Sequence, residues 1–430
     1  MLDIRLIREN PQVVRRDLEK RNEKEKLEWL EDLIKSDAEY RKLLADNQRL
    51  RQRRNEITDE INNLRKQGKE IKEKILEAKE LPGRIKESDE KTGELKSKIE
   101  YYLMRLPNIL HESVPFGRDS NDNLVVKTWG KKQKFNFELK AHGELLQELG
   151  LADFEKAAEV SGHGFYYLIG DIARLELAIV NLAVDILSRK GYALIEPPLM
   201  LRRKPYEGVT DLKDFETMMY KIEGEDLFLI ATSEHPIAAL LMNESFDEKQ
   251  LPMKFIGFSP CFRKELGSHS IDTKGIFRVH HFNKVEQFIF CRAEDSWKFH
   301  EELLKNGEEI FQKLKIPYRV VNVCTGDIGL VAAKKYDIEA WFPRESLYRE
   351  VISCSNCTSY QAGRLNIRYK KGEEKEYLHT LNSTAVATTR ALRAIIENYQ
   401  QKDGSIKIPA VLQKYMGKKV IGKQNLGFDI

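Results

Sequence analysis

The sequence predicts an α+β protein: an N-terminal antiparallel helical hairpin, read as a coiled coil, then a larger domain with a mixed, mainly antiparallel sheet flanked by helices. Three observations carry that reading. From about Lys26 to Leu106 the chain holds few Gly or Pro, is rich in Lys, Glu and Arg, and repeats apolar residues at three- and four-residue spacing. Gly68, at the centre of RKQGKE, breaks the pattern near its midpoint. After about Lys132, short apolar runs joined by long connections take over, and strand and helix do not alternate regularly.

The apolar stripe of the hairpin runs through Trp29, Leu33, Tyr40, Leu43, Leu50, Ile57, Ile61 and Leu64, and resumes with Ala78, Leu81, Ile85, Leu95, Ile99, Tyr102 and Leu106. So narrow a stripe is a coiled-coil seam. Ser36, Asn47, Arg54, Ser88 and Thr92 interrupt it. A turn at Gly68 gives two helices of similar length, each roughly 60 Å at about 1.5 Å per residue. Pro82-Gly83 then reads as a kink in the second helix. The tip carries Arg65, Lys66, Lys69, Lys72 and Lys74 against Glu70 and Glu73, and the shaft carries Arg49, Arg51, Arg53 and Arg54. Those charges suit a solvated helix face or a rod lying along a nucleic-acid backbone.

Residues 107–131, with Pro107, Pro115 and a cluster of Asp, Asn, Ser and Gly, have linker chemistry, which leaves 1–106 and 132–430 as the two domains. In the second, DIARLELAIVNLAVDILSRKGY reads as a helix with Leu175, Ile179, Leu182, Ile186 and Leu187 on its apolar face, ended by Lys190-Gly191. ALIEPPLM reads as a strand stopped by Pro197 and Pro198, and LFLIATSEHP, LPMKFIGFSPCF, KVEQFIFC and YREVISCS as further strands. The 430 residues are 41% hydrophobic, enough for a substantial core, and 33% charged, which demands long solvated surfaces. A net charge of +4 is too small to argue for a polyanionic partner by itself. No apolar run of membrane-spanning length and no apolar signal core is present, so the expected location is the cytosol. Five irregularly spaced cysteines argue against a disulfide framework.

Four stretches carry candidate chemistry. In CFRKELGSHSIDTKGIFRVHHFNKVEQF, read as a hairpin, Arg263 and Glu265 are two apart on a strand and share a face, while Arg278, Phe282 and Glu286 are each four apart and share one too. Arginine forks suit phosphate or carboxylate, and an aromatic beside them suits a nucleotide ring; cross-strand salt bridges explain the spacing equally. In ATSEHP, Thr232 and Glu234 share a strand face, and a buried Glu234 needs a cation, from a substrate amine or a structural Arg. In REVISCSNC, Glu350 and Ser353 offer hard oxygens to Mg²⁺; the lone Cys354-x-x-Cys357 pair lacks the second pair that a structural zinc requires. In LNSTAVATTRALRAIIEN, small residues alternate at Ser383, Ala385 and Ala387, and Arg390 opens a helix where a cation is unfavourable, which hints at a nearby anion. Gly-rich phosphate loops, HExxH pairs and GxSxG elbows are absent, so the chemistry reads as positioning and charge stabilisation.

These stretches together resemble a known family. F-R-K-E, a loop, then R-x-x-x-F-x-x-x-E resembles motif 2 of the class II aminoacyl-tRNA synthetases. The helix leading to IEPPLM looks like their motif 1, a dimer-interface element, and the strand ending in Arg390 looks like motif 3. The class has glycines where this chain has Ser383, Ala385 and Ala387, and there the seryl subgroup is the better match. TSEHP, FRKELGS, HHFNKVEQF, EVISCSNCTSYQAGR, HTLNSTAVATTR and the N-terminal hairpin all resemble seryl-tRNA synthetases, across nearly the whole chain.

The resemblance implies a catalytic domain at 132–430 and a tRNA-binding domain at 1–106. It implies a cytoplasmic homodimeric ligase of protein biosynthesis, joining L-serine to tRNA(Ser), and to tRNA(Sec) where that is present, through seryl-adenylate. Arg263 and Arg390 would be its catalytic arginines. Arg263, Lys264, Glu265, Arg278, Val279, Phe282, Glu350, Val351, Ile352, Ser353 and Arg390 would hold ATP, with Mg²⁺ on Glu350 and Ser353. Thr232, Ser233, Glu234, Arg263, Glu286, Asn382 and Thr384 would hold serine. Arg49, Arg51, Arg53, Arg54, Arg65, Lys66 and Lys69 would meet tRNA. A stand-alone amino-acid ligase or regulator of the same fold would lack the arm, and a coiled-coil scaffold would not need the two arginines.

Overall fold

Short caps and long amphipathic runs build the first part of the chain. The computed structural model describes residues 1–211, 217–265 and 275–424. Residues 2–109 form one compact unit. It begins with helices α1 (Ile4–Glu9), capped by the Asp3 carboxylate, and α2 (Pro11–Lys20), opened by proline at its first position, where no intrahelical partner is needed for the missing N–H. Two long helices follow, α3 (Lys24–Lys66) and α4 (Lys72–Leu103), turning through Gly68 at φ 67° as the sequence required. They are not equal: 43 residues against 32. Helix α4 is continuous through Pro82.

The seam between α3 and α4 differs in detail from the periodic reading. Leu33, Ile57, Leu81, Ile85 and Ile99 are buried as expected, but Leu30 and Leu103 join them. Two interruptions, Ser36 and Asn47, are buried too. Asn47 donates to Asp89 across the hairpin at 2.7 Å and accepts from Arg51 at 2.8 Å, while Arg51 reaches the same Asp89 at 2.7 Å. A polar layer of this kind fixes register rather than weakening it.

The remainder, from residue 110 onward, is a second compact unit. Its centre is an eight-stranded sheet made of β1 (Leu124–Trp129), β2 (Ala193–Ile195), β3 (Met253–Phe262), β4 (His281–Cys291), β5 (Tyr318–Asn322), β6 (Lys334–Phe342), β7 (Leu347–Asn356) and β8 (His379–Ala387). The order across it is β1-β5-β6-β7-β8-β4-β3-β2, antiparallel except for the β2–β3 pair. Part of the stretch read as linker is therefore the edge strand β1, paired with β5.

Alternation along β4 sends Val285 and Ile289 to one core, and Phe288 and Phe290 to another. The first core also takes Leu175, Ile179 and Leu182 of α5 (Asp171–Ser188), Leu303 and Phe311 of a helix at Ser296–Leu314, and Ile395 of a helix at Thr388–Tyr399. The second is capped by Tyr206, Phe228 and Tyr369. The two faces of β4 thus serve different cores, and ahead of Phe288 the face that bears it also carries Phe282 and Glu286, two of the candidate residues. On the solvent side of α5 and just beyond it, Leu177, Leu194, Leu199 and Met200 are exposed large apolar side chains. No helix among the described residues is long and apolar enough to cross a membrane.

Candidate active site

A cleft of about 390 Å³ lies over one face of β4, β7 and β8, beside the end of β3. The hairpin of the sequence reading is real, but its strands stop short of the arginines. Strand β3 ends at Phe262 and β4 starts at His281, with Cys261 opposite Phe282. Arg263 and Glu265 follow β3, and Arg278 precedes β4, so the face-sharing argument holds only for Phe282 and Glu286. The side chains still converge, because Arg263, Glu265, Arg278, Val279, Phe282 and Glu286 all line the cleft. Glu265 sits at φ 48° and lies 3.8 Å from Arg278, and the Arg263 guanidinium stands 5.4 Å from the Phe282 ring centre. Leu266, Gly267 and Ser268 of the FRKELGS stretch lie outside the described residues.

The ATSEHP stretch is not a strand. Residue Glu234 begins a helix, Glu234–Ala239, and Thr232 Oγ1 accepts from its N–H at 3.2 Å. Thr232 and Glu234 both line the cleft; Ser233 does not, being buried with its hydroxyl on the Gly257 carbonyl at 3.3 Å. The Glu234 Oε1 atom accepts from Gln361 at 2.8 Å and from Asn382 at 3.0 Å. Burial pushes its carboxyl up to about 7, and the nearby Glu286 adds to the rise, against opposing help from Lys284, Gln361 and Arg263.

Two bulges complete the site. Residues Glu350 and Ser353 are three apart, so a regular strand would turn them to opposite faces. The β6–β7 register slips between Ile338 and Glu339, leaving Val351 as an extra residue, and Glu350, Val351 and Ser353 all reach the cleft. A second slip, at Ala385 in β8, sets Thr384 opposite Glu286 and brings Ala387 to the cleft as well. Two of the residues expected to hold ATP do not line the cleft. Ile352 is buried against Gly307 on the other side of the sheet. Lys264 donates its backbone N–H to the Met218 carbonyl at 3.0 Å and carries its ammonium 5.9 Å from the Tyr220 ring centre.

The anion that Arg390 was expected to need is Glu350: Nη1 lies 3.2 Å from its carboxylate and donates to its carbonyl at 3.0 Å. Desolvation opposes ionisation of Glu350, but Arg390, Lys335 and Arg263 outweigh it and hold the carboxyl below its ordinary value. Asp337, the cross-strand partner of Ser353, is buried, and its Oδ1 has no partner among the described residues. A carboxylate and a hydroxyl backed by a buried carboxylate make a hard-oxygen set that fits Mg²⁺.

Sequence reasoning missed Lys284 and Phe277. Lys284 shares the inward face of β4 with Phe282 and Glu286, a period-two signal that was available. Phe277 lies under the guanidinium groups of Arg390 and Arg393, at 5.3 and 4.7 Å. His280 and His281 serve packing: His281 stacks on Tyr166 at 5.1 Å, and His280 bonds the Arg263 carbonyl at 3.0 Å. Cys354 and Cys357 are buried free thiols, and no metal-binding cluster of His, Cys, Asp or Glu occurs among the described residues.

The arm residues divide. Arg53 is bound within the hairpin to Glu60 at 2.8 Å and Glu77 at 2.9 Å, as Arg51 is to Asp89. Arg49 keeps only a loose pair with Asp46 at 3.5 Å. Arg54, Arg65, Lys66 and Lys69 are exposed and have no ion pair with a described residue.

Comparison with known proteins agrees with this geometry. Residues 1–110 match the seryl-tRNA synthetase N-terminal domain, and residues 216–399 match the tRNA synthetase class II core domain (G, H, P, S and T). The serine–tRNA ligase of Methanocella arvoryzae is 58% identical over 419 residues, covering 97% of this chain and 99% of that protein. The crystal structure of seryl-tRNA synthetase from Pyrococcus horikoshii complexed with ATP superimposes with a TM-score of 0.95 at 50% identity, over 99% of this chain and 100% of that one. The cytoplasmic enzyme of Naegleria fowleri in complex with AMP gives 0.89 at 35%, over 99% of both chains. The chain belongs to the seryl-tRNA synthetase family, class II ligases that use ATP to attach serine to tRNA(Ser) by way of seryl-adenylate.

Proposed function

We propose that the cleft is where serine is activated, with the roles divided by charge. Arg263 receives the serine carboxylate and the α-phosphate of ATP, and lowers the cost of charge developing at phosphorus as the carboxylate attacks and pyrophosphate leaves. Glu265 and the Val279 backbone read the adenine edge. Phe282 and Arg390 take its two faces, and Arg278 and Arg390 take the outer phosphates. Thr232 and an ionised Glu234 hold the ammonium, Asn382 steadies Glu234, and Glu286 with Thr384 reads the hydroxyl. Glu350 and Ser353 would hold Mg²⁺, which supplies neutralising charge between the phosphates. Ser233, Lys264 and Ile352 support this shell from behind.

The observation that carries the proposal is that Arg263 and Arg390, far apart in sequence, line one cleft with the half-buried Glu234 and the buried Glu286. Serine-dependent ATP–pyrophosphate exchange tests it. Arg263→Ala is expected to lose a hundredfold or more, on the order of one removed electrostatic group. Near-normal exchange in a folded variant would reduce Arg263 to a structural residue.

We also propose a cytoplasmic homodimer joined through the exposed apolar residues Leu177, Leu194, Leu199 and Met200, whose exposure suits burial against a second copy. Leu177→Asp is expected to give monomers in sedimentation. The tRNA partners are tRNA(Ser) and, where it occurs, tRNA(Sec), contacted by the arm.

A further inference from the structure

Lys284 has no role in the scheme above, yet it is one of the most enclosed charges at the cleft. Its side chain is 7% exposed, and its Nζ lies 2.5 Å from Glu286 Oε2, itself on a side chain 2% exposed. The Thr384 hydroxyl donates to that same oxygen at 3.4 Å. Glu286 Oε1 takes no hydrogen bond from any described residue, and Glu286 lines the cleft. The two oxygens of one carboxylate are therefore divided: one is filled by the protein, the other is left for a ligand.

We propose that Lys284 is a specificity-determining positioning residue, whose ammonium keeps Glu286 an anion with Oε2 filled and Oε1 presented as an acceptor-only contact for the serine hydroxyl. This rests on the assignment of Glu286 to that hydroxyl. A carboxylate so deeply buried would otherwise bind a proton, and burial does push Glu286 above its ordinary range, with Lys284 the chief opposing influence. The other charged or titratable groups around it are Arg263 after β3, Glu234 on its short helix, and the thiols of Cys261 and Cys354 from β3 and β7, which burial keeps protonated. An anion can only accept. Serine satisfies it with O–H, cysteine offers a weaker S–H donor, and alanine leaves a desolvated charge unpaired, which is the costly case. Without Lys284 the carboxyl becomes neutral, and accepting alanine costs far less.

The test is ATP–pyrophosphate exchange with serine and with alanine between pH 6 and 9, for wild type, Lys284→Met, Lys284→Arg, Glu286→Gln and the double variant K284M/E286Q. In K284M the serine-to-alanine ratio of kcat/KM is expected to fall by about a hundredfold. Its serine kcat/KM should also steepen from a slope of about one toward about two below neutral pH, as a second carboxyl needs ionising. The KM for ATP should hold, and K284R should restore most of the ratio. The double variant should match E286Q, since Lys284 acts through that carboxylate. A folded K284M that keeps both the ratio and a slope of one overturns the proposal, as does a double variant at least tenfold worse than E286Q. If K284M alone fails to fold, the comparison of the double variant with E286Q decides by the same criterion. An E286Q enzyme that still rejects alanine overturns the Glu286 assignment and the proposal with it.

Discussion

Glu234 carries a pH response that follows from its burial. Its carboxyl is raised from 4.5 to about 7, and it must be ionised to receive an ammonium group. Below its folded value the acid is neutral and binds the serine cation poorly; above that value it is charged and binds well. The kcat/KM for serine in pyrophosphate exchange is thus expected to rise severalfold, toward about tenfold, from pH 6 to neutrality and to level off by about pH 8. A profile flat across that range would mean that Glu234 is already ionised or does not hold the ammonium. Most of the residues that line the cleft were nameable in the sequence through the family resemblance, since by spacing alone cross-strand salt bridges explain arginines, an aromatic and carboxylates as well as a charged ligand does. Their geometry was not. Glu234 was read on a strand but opens a helix, and Arg263 stands beyond its strand rather than on it. Lys284 was overlooked because a lysine beside an acid reads as a surface pair until burial is known.

Elements show the same division. Helix α5, the turn at Gly68 and the strands β4, β7 and β8 were readable from periodicity and breaker residues. The two bulges were not, since a single extra residue leaves no distinct mark in the residue pattern of either strand. Within the arm, composition could not separate cations that hold the hairpin from cations left to solvent. Arg53 ties α3 to Glu77 of α4, whereas Arg54, Arg65 and Lys66 face solvent. Replacing Arg54, Arg65 and Lys66 with Ala is expected to flatten the salt dependence of tRNA binding by about one unit of slope per lost phosphate contact. Arg53→Ala should leave that slope nearly unchanged and destabilise the hairpin only slightly, as the loss of exposed pairs does. Equal effects on the slope from Arg53 and Arg54 would show that pairing within the hairpin does not sort them.

The whole molecule folds as two compact units, residues 2–109 and the part from residue 110 onward. All residues assigned to serine and ATP belong to the second unit, so removing the arm should spare activation. The hairpin can be shortened without opening its base. Lys91 pairs with Glu39 at 3.0 Å and Arg8 anchors Asp37 at 2.7 Å, so a cut that deletes residues 42–90 and joins the ends with a short Gly-Ser linker keeps both contacts. It also retains the buried Leu30, Leu33, Ile99 and Leu103. Serine-dependent pyrophosphate exchange is expected to stay within about twofold of wild type, a difference of less than about 0.5 kcal/mol in the barrier. Transfer to tRNA(Ser) should collapse, and the collapse should appear in KM for tRNA more than in kcat, because what is lost is binding shared by ground and transition states. A-form RNA hides its base edges from side chains in a deep, narrow groove, so an arm lined with arginine and lysine is expected to read backbone shape, as on the long variable arm of a tRNA. Substituting another base-paired sequence in that variable arm should then change little in the intact enzyme. If the shortened protein charges tRNA(Ser) as well as the full one does, the hairpin is a structural projection and its exposed cations are solvated charges without an RNA partner.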